Sequence, residues 1–203
     1  MGKKKWFKEF LADKYVKDAK REGFRSRAAF KLLQIDHEFR LFNKCSNVLD
    51  LGCAPGSWLQ VARRKIDSKK PVIIGVDKLP FKLIEGIIPI KGDFSEESAR
   101  KRICGAFEGR KIDVILSDMA PNLSGIKVVD SENISKLVNL VLEFSLQNLQ
   151  QNGWVVIKAF ETGTNALKFR EDLARYFEKV WLRKPMASKK VSSERFLVAK
   201  TLK

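Results

Sequence analysis

The sequence predicts an α/β domain, a mostly parallel sheet with helices on both faces. Three observations carry this. Short apolar runs alternate with amphipathic segments throughout the 203 residues. The first clear run feeds a glycine turn, Gly52-Cys-Ala-Pro-Gly56, which opens a helix-compatible stretch at Ser57. Polar residues then stand at or just past the ends of successive runs: Asp50, Asp77, Asp93, Asp118 and Lys158. In doubly wound sheets ligands bind beyond the carboxyl ends of the strands, so one shared pocket is expected there.

Residues 6–22 place aromatic and aliphatic side chains (Trp6, Phe7, Phe10, Leu11, Tyr15, Val16, Ala19) at roughly helical spacing. A second helix is expected from Ser26, as N-cap, through Ile35, with Lys31 inside its apolar stretch. A lysine there either snorkels to solvent or belongs to a basic arm beside the pocket. Val48, Leu49 and Leu51 form the first strand, 57–66 a helix and 72–77 the second strand, ending in Asp77. Ile87-Ile-Pro-Ile-Lys-Gly-Asp-Phe94 reads as a third strand with Asp93 past its end, followed by helix 95–107. Residues 112–117 form a fourth strand, 119–125 a loop and 131–150 a long helix that Gln151-Asn-Gly153 ends. Trp154-Val-Val-Ile157 is the fifth strand, reaching Lys158; helix 164–178, strand 179–183, a basic loop 184–193 and strand 195–201 complete the pattern. No internal repeat or linker interrupts it, so residues 1–203 are read as one domain with a basic helical extension over 1–40.

The formal net charge is +16, and it is unevenly placed. Residues 1–40 hold 12 basic and 6 acidic side chains and residues 158–203 hold 12 and 5, so the two ends carry +13 of it. Such ends suit a polyanionic partner, nucleic acid before membrane. Cys45, Cys53 and Cys104 are widely spaced and His37 is the only histidine, which disfavours a disulfide framework or a zinc site and fits a reducing cytoplasm. The basic start is followed by no apolar stretch of a signal peptide, Trp6 stands where myristoylation wants Ser or Thr, and no run reaches membrane-spanning length.

The glycine loop does not fit a nicotinamide cofactor. Ala54 occupies the second glycine position of the dinucleotide fingerprint and Leu59 the third. Acidic residues around the loop suit a positively charged, phosphate-free cofactor, S-adenosylmethionine. Asp77, 21 residues after Gly56, is then placed to hold the ribose and Asp93 the adenine amine. Trp58 either shapes the adenosine pocket or fills the core.

At this point separate motifs converge. Asp13-Lys-Tyr-Val16, Arg25-Ser-Arg-Ala-Ala-Phe-Lys-Leu32, Asp50-Leu-Gly-Cys-Ala-Pro-Gly-Ser-Trp58, Ser117-Asp-Met-Ala-Pro-Asn-Leu-Ser-Gly125, the Lys158 strand, Arg183-Lys-Pro185 and Ser192-Ser-Glu-Arg195 together resemble the FtsJ/RrmJ family of ribosomal RNA 2′-O-methyltransferases. The resemblance implies a Rossmann-like class I methyltransferase fold with a seven-stranded sheet. It implies a cofactor site at Asp50, Gly52, Pro55, Gly56, Ser57, Trp58, Asp77, Asp93 and Asp118, and the family's Lys-Asp-Lys-Glu tetrad falls on Lys31, Asp118, Lys158 and Glu194. Two departures stand out: Ser57 replaces a second glycine, and Phe160-Glu-Thr162 replaces the usual Phe-Gln-Gly.

The tetrad makes chemical sense for a ribose hydroxyl, a poor nucleophile that needs orientation and a proton acceptor. Lys158 is expected to accept the proton or to orient the hydroxyl, Lys31 and Asp118 to position it, and Glu194 to hold the lysines. No metal is required. Arg25, Arg27, Lys184, Lys189 and Lys190 are the expected contacts to RNA phosphates. By resemblance the substrate is a uridine of the A loop in 23S ribosomal RNA of the large subunit, acted on by a cytoplasmic monomer. Transfer-RNA and mRNA-cap methyltransferases share the tetrad, and a non-catalytic ribosome-assembly factor is the reading from another class.

Overall fold

The computed structural model describes residues 14–121, 124–161, 165–189 and 191–203. The expected helix over residues 6–13, Asn122 and Leu123 of the loop, and Lys190 lie outside the described residues. Helix α1 spans Ala29–Phe39, β1 Asn47–Leu51, α2 Ser57–Lys65, β2 Val72–Asp77, β3 Ile87–Lys91, α3 Glu97–Ala106 and β4 Ile112–Ser117. Then come α4 Lys127–Asn148, β5 Leu149–Phe160, α5 Asn165–Ala174, β6 Phe177–Arg183 and β7 Glu194–Leu202. Residues 14–21 are also helical. The seven strands lie in the order β3-β2-β1-β4-β5-β7-β6. All neighbours pair in parallel except β7, which runs antiparallel to both β5 and β6.

The fully apolar strand centres follow from burial on both faces. On one face Leu49, Ile74 and Ile115 pack against Ile103 of α3, Val138 and Val141 of α4 and Leu173 of α5. On the other, Val48, Ile73, Val114, Val156 and Phe196 pack against Leu32 and Ile35 of α1 and Leu59 and Ala62 of α2. Residues of the basic N-terminal region are therefore built into the core: Phe24, Ala29 and Leu32 are all buried.

Two local expectations, the Ser26 cap and the Gln151-Asn-Gly153 break, are corrected. Ser26 does not cap α1 from the N-cap position: a tight turn leads in, with the amide of Ala29 on the carbonyl of Ser26, and the helix starts three residues later. Helix α2 opens at Ser57 as expected, with Gly56 as its N-cap. Gln151-Asn-Gly153 does not sit between helix and strand; β5 starts at Leu149, directly after α4, and a register shift against β4 absorbs the extra residues. The third strand ends at Lys91, and Asp93 lies past its end as expected.

The strand order reverses between β1 and β4, which opens a crevice above their carboxyl ends. Leu51 stands opposite Ser117, and the amide of Asp118 donates to the carbonyl of Leu51 at 3.2 Å. That register sets Gly52 beside Asp118.

Candidate active site

A cavity of about 720 Å³ opens at this switch point, within the range of small-molecule sites. Gly52, Asp77, Asp93 and Asp118 line it, together with Lys78, Leu79, Phe94, Ser95, Met119, Asn133, Lys136 and Leu137. Gly52 is required twice over. Its φ is +73°, and an added Cβ would stand 2.7 Å from Cγ of Met119. Asp77 accepts the amide of Ala54 on one oxygen and the amide of Leu79 on the other, both at 2.8 Å, so its carboxylate is fixed at the rim. Asp93 accepts the Ser95 amide at 2.9 Å and pairs with Lys78 at 2.6 Å. Slight burial raises the Asp93 carboxyl, but the hydrogen bonds from Lys78 and Ser95 outweigh it and hold the group below its ordinary value.

Beside the cavity lies a second cluster. Lys158, near the end of β5, donates to the carbonyl of Asp118 and sits 3.0 Å from Asp118 Oδ1. Lys31 of α1 pairs with Glu194 Oε2 at 2.8 Å, and Ser188 donates to Glu194 Oε1 at 2.6 Å. Burial opposes ionisation of Glu194. The Lys31 charge, its hydrogen bond, that from Ser188 and the Lys158 charge prevail, holding the carboxyl below its ordinary value. The antiparallel β7 makes this cluster possible: Lys158 stands opposite Phe196 and Phe160 opposite Glu194, so the start of β7 lies at the end of β5. Asp118 belongs to both clusters, lining the cavity and holding Lys158.

Other expected residues are placed elsewhere. Pro55, Gly56, Ser57 and Trp58 do not line the cavity. Trp58 is 3% exposed, donates its indole N–H to the carbonyl of Ala28 and packs on Phe196, which makes it a core residue. Ser57 shares a hydrogen bond with Ser26 at 2.7 Å. Asp50 lies beneath the cavity and outside its lining, 0% exposed, with no hydrogen-bond partner on either oxygen. Desolvation, with the charges of Asp118 and Asp77, pushes its carboxyl far up toward the neutral form. Arg25 and Arg27 are turned inward: Arg25 donates to three backbone carbonyls and Arg27 to that of Ala187. Of the basic loop, Lys189 is exposed and Lys184 donates to the carbonyl of Ser192. Sequence reasoning missed Ser188, Lys78 and the apolar wall of Met119 and Leu137. The run after Asp118 offered a signal for Met119, whereas nothing local marks Ser188 as the holder of Glu194. Burial keeps the thiols of Cys45, pushed up to about 12, and of Cys53 protonated.

A doubly wound sheet with an acid-lined cavity at its switch point and a lysine–carboxylate cluster beside it is the architecture of a Rossmann-like α/β ligand-binding domain with charged groups set at the mouth of its pocket. Residues 24–202 match the FtsJ-like methyltransferase family. The chain is 43% identical to the ribosomal RNA large subunit methyltransferase E of Alkalilimnicola ehrlichii, over 98% of this chain and 94% of that one. It is 42% identical to the protein of the same name from Bordetella pertussis, over 98% and 97%. The crystal structure of a ribosomal RNA methyltransferase from Plasmodium falciparum superposes with a TM-score of 0.79 at 30% identity, covering 88% of this chain and 98% of that one. The chain belongs to the FtsJ-like methyltransferase family, and it is a methyltransferase.

The family implies a methyl donor, and the residues present fit a cationic one. Three carboxylates line the cavity, its glycine wall is bare of side chain, and a partnerless carboxyl lies beneath. The two lysines of the wall are engaged, Lys78 with Asp93 and Lys136 with Glu132 at 2.8 Å.

Proposed function

We propose that the protein uses S-adenosylmethionine to methylate a ribose 2′-hydroxyl of ribosomal RNA in the large subunit, a uridine of the A loop being the target. The observation that carries this is the double engagement of Asp118, in the cavity wall and on Lys158. When bound, the cofactor supplies an electrophilic methyl on a sulfonium. Asp77 holds its ribose, Asp93 its adenine amine, and Gly52 lets it approach the backbone. Lys158 Nζ donates to the carbonyl of Asp118 and stands 3.0 Å from its carboxylate Oδ1, which fixes the ammonium so that a further N–H orients the attacking hydroxyl. Transfer of that methyl would break its bond to sulfur, leaving a neutral thioether, as the O–C bond forms, and the hydroxyl proton would be taken up at the Lys158–Asp118 pair and then lost to water. Lys31, anchored by Glu194, keeps a second positive charge beside the phosphodiester. Lys184, Lys189 and Lys190 bring phosphates to the site, which makes substrate affinity strongly salt-dependent. The enzyme works as a monomer in the cytoplasm.

The test is to incubate the protein with methyl-labelled cofactor and, separately, undermethylated large subunits, free ribosomal RNA and transfer RNA, and to map the product. Label on a single ribose of large-subunit RNA is expected. Label confined to transfer RNA overturns the substrate, and no label anywhere leaves a ribosome-assembly factor as the reading.

A further inference from the structure

Arg25 lies in the segment that leads into α1, in the strongly basic N-terminal region. Its guanidinium is spent on the protein itself. Nη1 donates to the carbonyl of Pro55 at 2.7 Å and to that of Lys82 at 2.7 Å, while Nη2 donates to Leu83 at 3.1 Å. The backbone amide of Arg25 is held by Gln60 of α2 at 2.9 Å, and Gln60 in turn donates to the carbonyl of Gly23. One side chain thus joins three segments far apart in the chain: the entry to α1, the glycine loop before α2, and the connection between β2 and β3.

That connection needs a strut. Residues 78–86 cross from β2 to β3 without a helix, yet Lys78 and Leu79 line the cavity. Leu79 and Leu83 are 65% and 75% exposed, while Phe81 and Ile84 pack, partly buried, against the core, so the segment is anchored at its middle and loose toward the cavity. The glycine loop is fitted to the same guanidinium. An added Cβ at Gly56 would stand 2.6 Å from Arg25 Nη1 and 3.2 Å from Ile84 Cδ1. The fork geometry matters as much as the charge, because a planar guanidinium reaches carbonyls in two directions and a single ammonium does not.

We infer that Arg25 is a positioning residue of the cofactor site: it ties the 78–86 segment to the glycine loop and so holds the adenosine side of the cavity closed, and its role is not to bind RNA phosphate. The inference rests on the cavity being the S-adenosylmethionine site. The decisive variant is Arg25→Lys, which keeps the charge and loses the fork. Expected are a Kd for S-adenosylmethionine, measured calorimetrically without RNA, raised about tenfold, and a KM for the cofactor raised in parallel. At saturating cofactor kcat stays within about twofold, and the KM for RNA and its salt slope are unchanged. Arg25→Met is expected to match or exceed Arg25→Lys. Trypsin is expected to cut after Lys82 faster in both variants, a readout that survives if either is too unstable for kinetics. Wild-type cofactor affinity in Arg25→Lys together with weaker, less salt-dependent RNA binding in Arg25→Met would make Arg25 a phosphate contact and overturn the inference. If the unaltered protein binds no S-adenosylmethionine, the reading of the cavity fails instead.

Discussion

The cavity and the lysine–carboxylate cluster share Asp118 but are built on different principles. Cavity carboxylates are held by backbone amides: Asp77 by that of Leu79 two residues on and that of Ala54 on the adjoining loop, Asp93 by that of Ser95. Only parallel strand ends and short turns are needed. The cluster instead joins residues from distant parts of the chain, Lys31 to Glu194 across 163 positions and Lys158 to Asp118 across 40. Its members are also drier, with side-chain exposures of 13% for Lys31, 11% for Glu194 and 9% for Lys158. The lesson is a division of labour. A site that grips a cofactor tolerates solvent at its rim, whereas charges that act on a hydroxyl are more effective where water is thin.

The largest break expected between the two regions comes from Lys158→Ala. Methyl transfer should fall at least about a thousandfold while calorimetric affinity for S-adenosylmethionine stays near wild type. Loss of cofactor binding as well would mean that the two regions are one. Glu194→Gln removes the anchor of Lys31 and is expected to lower kcat about a hundredfold and stability by about 2 kcal/mol, below the full cost of breaking a completely buried pair. Its pH dependence has a definite sign. With the native carboxyl held below its ordinary value, the pair contributes fully above the unfolded-state value and is lost only as pH falls through the lower native one. The gap in Tm between wild type and variant should therefore be constant from pH 8 to about 5 and close below about 4.

The reverse break belongs to the cavity. Asp77→Ala is expected to raise the Kd and KM for the cofactor about tenfold and to leave kcat at saturation within a few fold. The smallest effect sharpens the comparison from below. Asp50 has its carboxyl pushed up, so the native state binds more protons than the unfolded chain once pH rises past the unfolded-state value, and stability is lost through that range. Asp50→Asn should raise Tm by a few degrees at pH 7 to 8 and leave it unchanged near pH 3, as followed by calorimetry.

How much of this could be read in the chain follows the same division. The strands were legible because fully buried parallel strands are continuous apolar runs, and Asp77, Asp93 and Asp118 because strand ends recur at predictable spacing. Helix and strand boundaries around Leu149 were not: Gln151-Asn-Gly153 carries turn chemistry, yet it lies inside β5, passed over between Leu149 opposite Ile112 and Trp154 opposite Val114. Lys31 and Glu194 look locally like a snorkelling lysine and a loop acid. Their pairing depends on an antiparallel strand placed between two earlier ones, which no local period announces, so those residues were reached through motif resemblance. Arg25 shows a different limit of the sequence. Its basic surroundings suggest a phosphate contact, and nothing local announces the three backbone carbonyls that its guanidinium meets in the fold.

The placement of β7 also governs the order in which the protein comes into being. During synthesis β5 and β6 emerge before the strand that must lie between them, so each waits with an unpaired edge until residues 194–202 arrive. The closing event is a long-range insertion, slow compared with helix formation. It pairs the edges of β5 and β6 and delivers Glu194 to Lys31 in one step. No chain that stops short of residue 194 carries the Lys31–Glu194 pair, so assembly of that cluster and completion of the sheet coincide.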